Sequence, residues 1–165
     1  MRTIYLSDCV VALAENIEED DPALYACWCD PDTERGYNHR RTGTYEEYCA
    51  HENPPGWGAV ILRICDETPI GAVMFSSENA DLAIMLYPGF RGMGYGTRAF
   101  MLGMRYCAET LQLDHVYAGC YPDNHASLKM LARCGFVPHP EGNLREKHYL
   151  TGEEITQLDF VKYLR

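Results

Sequence analysis

The 165-residue chain carries 24 acidic and 14 basic side chains, a net charge of −10, and 47% of its residues are hydrophobic. That composition suits one packed domain over residues 1–165 rather than a disordered chain, and the acidic balance argues against a nucleic-acid partner, because phosphate binding needs a basic face. No apolar run reaches the roughly 20 residues of a membrane span, and the stretch before Ser7-Asp8 lacks the pattern of a signal peptide, so the expectation is a cytoplasmic protein with no membrane partner.

The eight cysteines mostly lie in apolar segments, as reduced, buried residues do. Cys27-Trp28-Cys29 lacks the two-residue spacing of a zinc or redox knuckle, so no metal is expected. Residues 1–56 hold twelve acids and four bases, which accounts for −8 of the total −10. This acidity reads either as a solvated surface or as a field that draws a cationic amine.

In chain order, Arg2 to Leu6 reads as a strand, and Ser7 or Asp8 as the cap of a helix running to Asn16, since Cys9, Val10 and Leu13 fall at helical spacing. Ala23 to Cys29 reads as a helical piece broken by Asp30-Pro31-Asp32, and the aperiodic stretch Thr33–Gly43 as a loop. Thr44 caps a short helix to His51, with Glu46 and Glu47 in its first turn. Trp57–Ile64, Ile70–Ser76 and Ala80–Tyr87 are apolar runs joined by turns too short for a helical crossover, hence an antiparallel meander. Thr97–Leu111 is a helix with Phe100, Met104, Cys107, Ala108 and Leu111 on one face. A strand at His115–Cys120, a helix from its cap Asn124 to Cys134 closed by Gly135, and strands near Asn143–Thr151 and Glu154–Leu164 complete a mixed α/β domain.

Between a strand and a helix lies Pro88-Gly89-Phe90-Arg91-Gly92-Met93-Gly94-Tyr95-Gly96-Thr97. Glycines there allow positive φ and close approach, so free N–H groups and the positive end of a helix dipole meet at one spot, which suits a phosphate. The turn lacks the Gly-Lys-Ser/Thr ending of a Walker loop. A dinucleotide fingerprint counted from Gly92 would put its last glycine on Thr97, and the turn follows a meander rather than the first strand of a parallel unit.

Arg91-x-x-Gly94-x-Gly96 resembles the Q/R-x-x-G-x-G/A signature of the GNAT superfamily of acetyl-CoA-dependent N-acetyltransferases. The block Tyr121-Pro122-Asp123-Asn124-His125-Ala126-Ser127, leading to Cys134-Gly135-Phe136, is similar to the family's N-x-x-A/S helix closing in "GF". The tail Glu141–Glu146 is similar to the branch with ribosomal-protein and spermidine N-acetyltransferases. The resemblance is clear over residues 57–165 and holds only in outline before them. It implies a central, mostly antiparallel sheet of roughly six to seven strands, splayed between the fourth and fifth and flanked by about four helices. It also implies acetyl-CoA as cosubstrate, its pantetheine on the backbone of Ile84, Met85 and Leu86, and its pyrophosphate on Arg91, Gly92, Met93, Gly94, Tyr95, Gly96 and Thr97. Asn124 and Ser127 would touch the pantetheine, and Lys129 or Arg133 the adenosine phosphate. Homodimers are frequent among such proteins.

The implied reaction is direct acetyl transfer to a primary amine of a protein N-terminus, a polyamine or an aminoglycoside-like molecule, with a cationic acceptor favoured by the acidic N-terminal third. A free amine is mostly protonated at neutral pH, so a base is needed. Asp81, at the start of the splayed strand, is the candidate, with Glu78 a weaker substitute. The family's usual acid, a tyrosine, is replaced by Leu131; Ser127, Tyr121 and Cys134 stand near. His115, His139 and His148 show no cluster of a catalytic triad. The missing tyrosine motivates a second class of function, a catalytically silent CoA-binding sensor or interaction module.

Overall fold

The computed structural model describes residues 1–165. Strands β1 (Ile4–Ser7) and β2 (Val11–Ala14) form a hairpin, and helices α1 (Asp21–Trp28), α2 (Pro31–Tyr37) and α3 (Tyr45–Ala50) follow. The meander is β3 (Gly56–Arg63), β4 (Thr68–Ser76) and β5 (Asp81–Leu86). Then come α4 (Tyr95–Glu109), β6 (His115–Cys120), α5 (His125–Arg133), and the strands β7 (Val137–Pro138), β8 (Leu144–Lys147) and β9 (Glu154–Tyr163). The sheet runs β1-β2-β3-β4-β5-β6-β9-β7, with β8 also on β9. Every pairing is antiparallel except β5 with β6.

The nine strands exceed the expected six to seven for two reasons. The helix expected from Asp8 to Asn16 is a hairpin turn and strand β2. Asp8 does act as a cap, but its Oδ1 accepts from the N–H groups of Val10 (2.6 Å) and Val11 (2.8 Å), closing a tight turn. Val11 and Leu13 join the main core, whereas Ala12 and Ala14 pack with Val60 and Leu62 in a separate cluster. A strand buried on both faces presents a continuous apolar run, which periodicity alone cannot separate from a buried helix. The other addition is β7, two residues long and containing a proline, too short to leave a pattern.

The loop expected over Thr33–Gly43 is corrected as well, because its first part is α2. Asp30 is the N-cap, its carboxylate accepting from Thr33 N at 3.2 Å, with Pro31 at the first helical position and Asn38 ending the helix at φ 50°. The Asp-Pro pair thus ends one helix and starts the next. Where α3 was expected, Thr44 and Glu47 form a capping box.

The core lies mainly between the sheet and α4. Leu82 of β5, Val73 of β4 and Val116 and Ala118 of β6 pack against Ala99, Phe100 and Cys107 of α4, with Leu131 and Phe136 beside them. On the opposite face, Met85 and Tyr87 join Leu24 and Cys27 of α1. Helix and sheet approach closely at Gly103, where an added Cβ would lie 2.9 Å from Val73 Cγ1. Gly103→Val therefore lifts α4 from the sheet, and urea unfolding at constant m-value is expected to show a loss of about 1–3 kcal/mol.

Candidate active site

Strands β5 and β6 start side by side and then part. They share one register pair, Asp81 with Tyr117, next to the bond from Tyr117 N–H to Ala80 C=O at 2.9 Å. The alternation of an antiparallel pair fixes what the rest of β5 offers. Tyr87 N–H donates to Ile70 C=O at 2.9 Å, so the backbone groups of Tyr87, Met85 and Ala83 face β4, and those of Leu86, Ile84 and Leu82 face the opening. Of the three residues expected to offer free backbone groups, Ile84 and Leu86 look into the gap. Met85 pairs with Ala72 of β4, which corrects that expectation.

The carbonyls of Ile84 and Leu86 already have donors. Tyr37, at the end of α2, donates its hydroxyl to Ile84 C=O at 2.6 Å, and burial, then the nearby Asp81 carboxylate, push that phenol well above its ordinary range. Arg91 donates from Nε to Leu86 C=O at 3.0 Å, from Nη1 to Asp30 at 3.0 Å and from Nη2 to Thr33 Oγ1 at 2.9 Å. What remains toward the gap is the N–H of Ile84 and of Leu86. The Arg91 guanidinium thus latches the start of α2 to the end of β5. Burial alone would raise the Asp30 carboxyl, but Arg91 and the Thr33 N–H hold it below its usual range.

The turn after β5 has the geometry its glycines suggest. Gly89, Gly92 and Gly94 sit at φ 92°, 73° and 85°, and a Cβ on any of them would meet nothing within 4 Å. Helix α4 begins at Tyr95 with Gly94 as its cap, earlier than the expected Thr97. The first N–H groups of a helix have no intrahelical acceptor, and the amides of Gly92 to Gly96 reach no loop carbonyl either. Met93 is exposed at the tip, and Tyr95, Gly96 and Thr97 are half-buried. A Cβ on Gly96 would lie 3.4 Å from Leu86 Cδ1 and 3.7 Å from Met130 Sδ, which brings α5 against this end of α4. The result is a cradle of donors with open space above it, continuous with the gap-facing N–H groups of β5.

At the start of α5, Asn124 Oδ1 accepts from Ser127 N–H at 3.2 Å. Neither residue touches Asp81, and the Ser127 hydroxyl is half-buried without a bond. Two other acid candidates are out of position. Tyr121 is buried and its hydroxyl donates to Glu146; burial first, then that carboxylate, push it up and keep its proton in place. Cys134 belongs to the main core and burial raises its thiol to about 11. Leu131, at the family's tyrosine position, is a core residue with 2% exposure.

Asp81 lies at the closed end of the opening. It lines a cavity of about 260 Å³ with Tyr117 and Gly119 of β6, Gln157 and Asp159 of β9, and His139. Burial, then the charge of Asp159, raise the Asp81 carboxyl to about 6. Asp159 and its partner His139 (2.8 Å from Nδ1 to Oδ2) were missed, because 20 residues separate them and neither sits in a motif. Tyr37 was missed inside the misread loop. Five of the twelve acids of residues 1–56 are paired with arginines: Asp8 with Arg98, Asp20 with Arg2, Glu34 with Arg40, and Asp30 and Asp32 with Arg91. The anions that face the site come from β5 and β9. A wider hollow of about 410 Å³ near Arg41, Glu47 and Tyr48 contains none of the expected site residues.

A sequence profile described as an acetyltransferase (GNAT) domain matches residues 13–137. The chain belongs to the GNAT acetyltransferases. Among solved structures of similar fold, a GNAT-family acetyltransferase from Bacillus anthracis superposes with a TM-score of 0.79 at 16% identity over 99% of both chains. A spermidine N-acetyltransferase from Vibrio cholerae, solved with CoA and spermine, gives 0.83 at 16% identity over 95% of this chain and 97% of that one. A ribosomal-protein-S5-alanine acetyltransferase from Vibrio fischeri gives 0.74 at 16% identity over 98% and 96%. No curated protein sequence matches. This GNAT chain has no helix long and apolar enough to cross a membrane and no group of three or more His, Cys, Asp or Glu arranged for a metal ion.

If the guanidinium of Arg91 serves the GNAT scaffold rather than a ligand, shape matters as well as charge. Arg91→Lys keeps the charge but cannot reach Leu86, Asp30 and Thr33 together. Thermal unfolding is expected at a Tm several degrees below wild type, on the order of 1–2 kcal/mol of lost hydrogen bonding.

Proposed function

We propose that this enzyme transfers an acetyl group from acetyl-CoA to a primary amine, with Asp81 as the general base. The observation that carries the reading is the parting of β5 from β6. It leaves the Ile84 and Leu86 N–H groups unpaired between a cradle of free amides at one end and a half-buried carboxylate at the other. The pantetheine arm would lie in the opening as an added strand, meeting N–H donors on β5, and the pyrophosphate would rest on the amides of Gly92 to Gly96. Asn124 and Ser127 flank the same mouth and would contact the arm.

The chemistry follows from charge. The acceptor arrives as an ammonium, which the cavity around Asp81 and Asp159 favours, and Asp81 takes its proton, directly or through one water. The freed amine attacks the thioester carbon, and a gap-facing N–H of β5 stabilises the oxyanion. As the CoA thiolate leaves, the attacking nitrogen gives up its second proton to solvent; as no placed side chain holds a proton for the thiolate, solvent supplies that one. The cavity's two anions support a cationic acceptor, such as a polyamine, an aminoglycoside-like amine or a peptide N-terminus.

Thiol release from acetyl-CoA with a panel of amines tests the reading. Tight CoA binding without turnover on any amine would sink it in favour of a silent binding module. Asp81→Asn is expected to lower kcat by about 10²–10⁴-fold at unchanged CoA affinity, and to remove the limb of the kcat/KM profile that falls as pH drops through about 6. The same variant has an opposite effect on stability. A carboxyl raised in the folded state holds a proton that the unfolded chain releases, so stability declines as pH rises from roughly 4 to 6 and stays lower above. Asp81→Asn should therefore raise the Tm at pH 7.5.

The cradle gives an independent check. Gly94→Val places a β-branched residue at φ 85°, a strain of about 1–2 kcal/mol, and fills the open space over the turn. Calorimetry is expected to show CoA affinity reduced by more than about tenfold, a loss of roughly 1.4 kcal/mol or more.

A further inference from the structure

The cavity that holds Asp81 also contains an ionisable pair, Asp159 with His139, whose effect on Asp81 itself the transfer described above leaves open. Asp159 is fixed at three points. Its N–H donates to Asn143 Oδ1 at 2.8 Å, its C=O accepts from His139 N–H at 2.9 Å, and its Oδ2 lies 2.8 Å from His139 Nδ1. A Cβ on Gly142 would fall 2.0 Å from Asp159 Oδ2 and 2.8 Å from His139 Nδ1, so a glycine makes room for the pair. On the neighbouring strand, a Cβ on Gly119 would lie 2.8 Å from Gln157 Nε2. The imidazole lies against Tyr117, whose strand position pairs with Asp81, at 5.0 Å between ring centres.

The charges around Asp81 are few. Tyr117 faces it from β6, Asp159 and Gln157 from β9, and Tyr37 from α2; His139 stands behind Asp159, with Glu141 3.8 Å from its Nε2. No lysine or arginine lines the cavity. Asp159 is thus the one other carboxylate in it, and His139 the one group there able to become a counter-cation.

We propose that Asp159 and His139 form a positioning pair that sets the proton affinity of the Asp81 carboxylate. With a neutral imidazole, the Asp159 charge strengthens the hold of Asp81 on a proton. When His139 takes a proton, that charge is compensated and Asp81 becomes a weaker base. The inference rests on the reading of Asp81 as the base. In that reaction an ammonium and acetyl-CoA give an amide, CoA thiol and one proton, so Asp81 must accept and release a proton in every turnover. Whatever sets its affinity sets the pH range of the enzyme. Histidine suits the task, since its charge changes between about pH 5 and 8.

The test is a carbon-13 titration of the Asp81 carboxyl in the acceptor-free protein, for wild type, Asp159→Asn, His139→Gln and the double variant. Asp159→Asn is expected to lower the Asp81 midpoint by about one pH unit, and His139→Gln to raise it by several tenths. The double variant should match Asp159→Asn, because the imidazole acts through Asp159. A midpoint unmoved by Asp159→Asn in folded protein overturns the proposal, and so does a double variant that departs from Asp159→Asn. His139→Gln changes a partly exposed ring, so a midpoint that fails to rise there overturns it even if Asp159→Asn does not fold. The acid limb of kcat/KM, measured alongside, separates the two readings. A midpoint that shifts while the limb stays fixed supports the pair and refutes Asp81 as the base.

Discussion

The site is organised by a single constraint, that β5 must leave β6 after one register pair. A strand inside a sheet normally satisfies its backbone on both sides, and a buried N–H or C=O without a partner costs about as much as a lost hydrogen bond. Here the cost is met selectively. Tyr37 and Arg91 supply donors to the carbonyls of Ile84 and Leu86, and the two N–H groups are left for a ligand. Because both donors belong to or anchor α2, the first third of the chain holds the opening in shape. The fixed polarity of that edge favours a partner rich in acceptors, and the amides of the glycine turn continue the same preference to the phosphates.

Charge is distributed with similar economy. Five of the twelve acids of residues 1–56 are tied to arginines, and these ties hold separate segments together. The two carboxylates of the cavity, Asp81 and Asp159, have no lysine or arginine beside them; they stand on β5 and β9, outside residues 1–56, and meet only in the folded sheet. Burying Asp81 destabilises the fold above pH 6 and gives a base matched to neutral solution, a conflict expected at catalytic positions.

What the sequence revealed, and what it hid, divides by range. The turn from Pro88 to Thr97 was readable because its glycines, the preceding apolar run and the following helical stripe are adjacent in the chain. The Asn124 cap and the capping box at Thr44 were readable for the same reason. Val11–Ala14 was misread because burial on both faces erases the period that separates strand from helix. Pro31–Tyr37 was misread because Asp-Pro both breaks a helix and begins one, and with it went Tyr37. The His139–Asp159 pair and the exclusion of Met85 from the gap depend on strand register across the sheet, which no local pattern encodes.

The most direct measurement is amide hydrogen exchange with and without CoA. The N–H groups of Ile84 and Leu86 should exchange quickly in the free protein and become protected when CoA binds, together with those of Gly92 to Gly96. Met85, already bonded to β4, should be slow in both states. Unchanged exchange at Ile84 and Leu86 under saturating CoA, or protection arising at Met85 instead, would contradict a ligand held along the parted edge of β5.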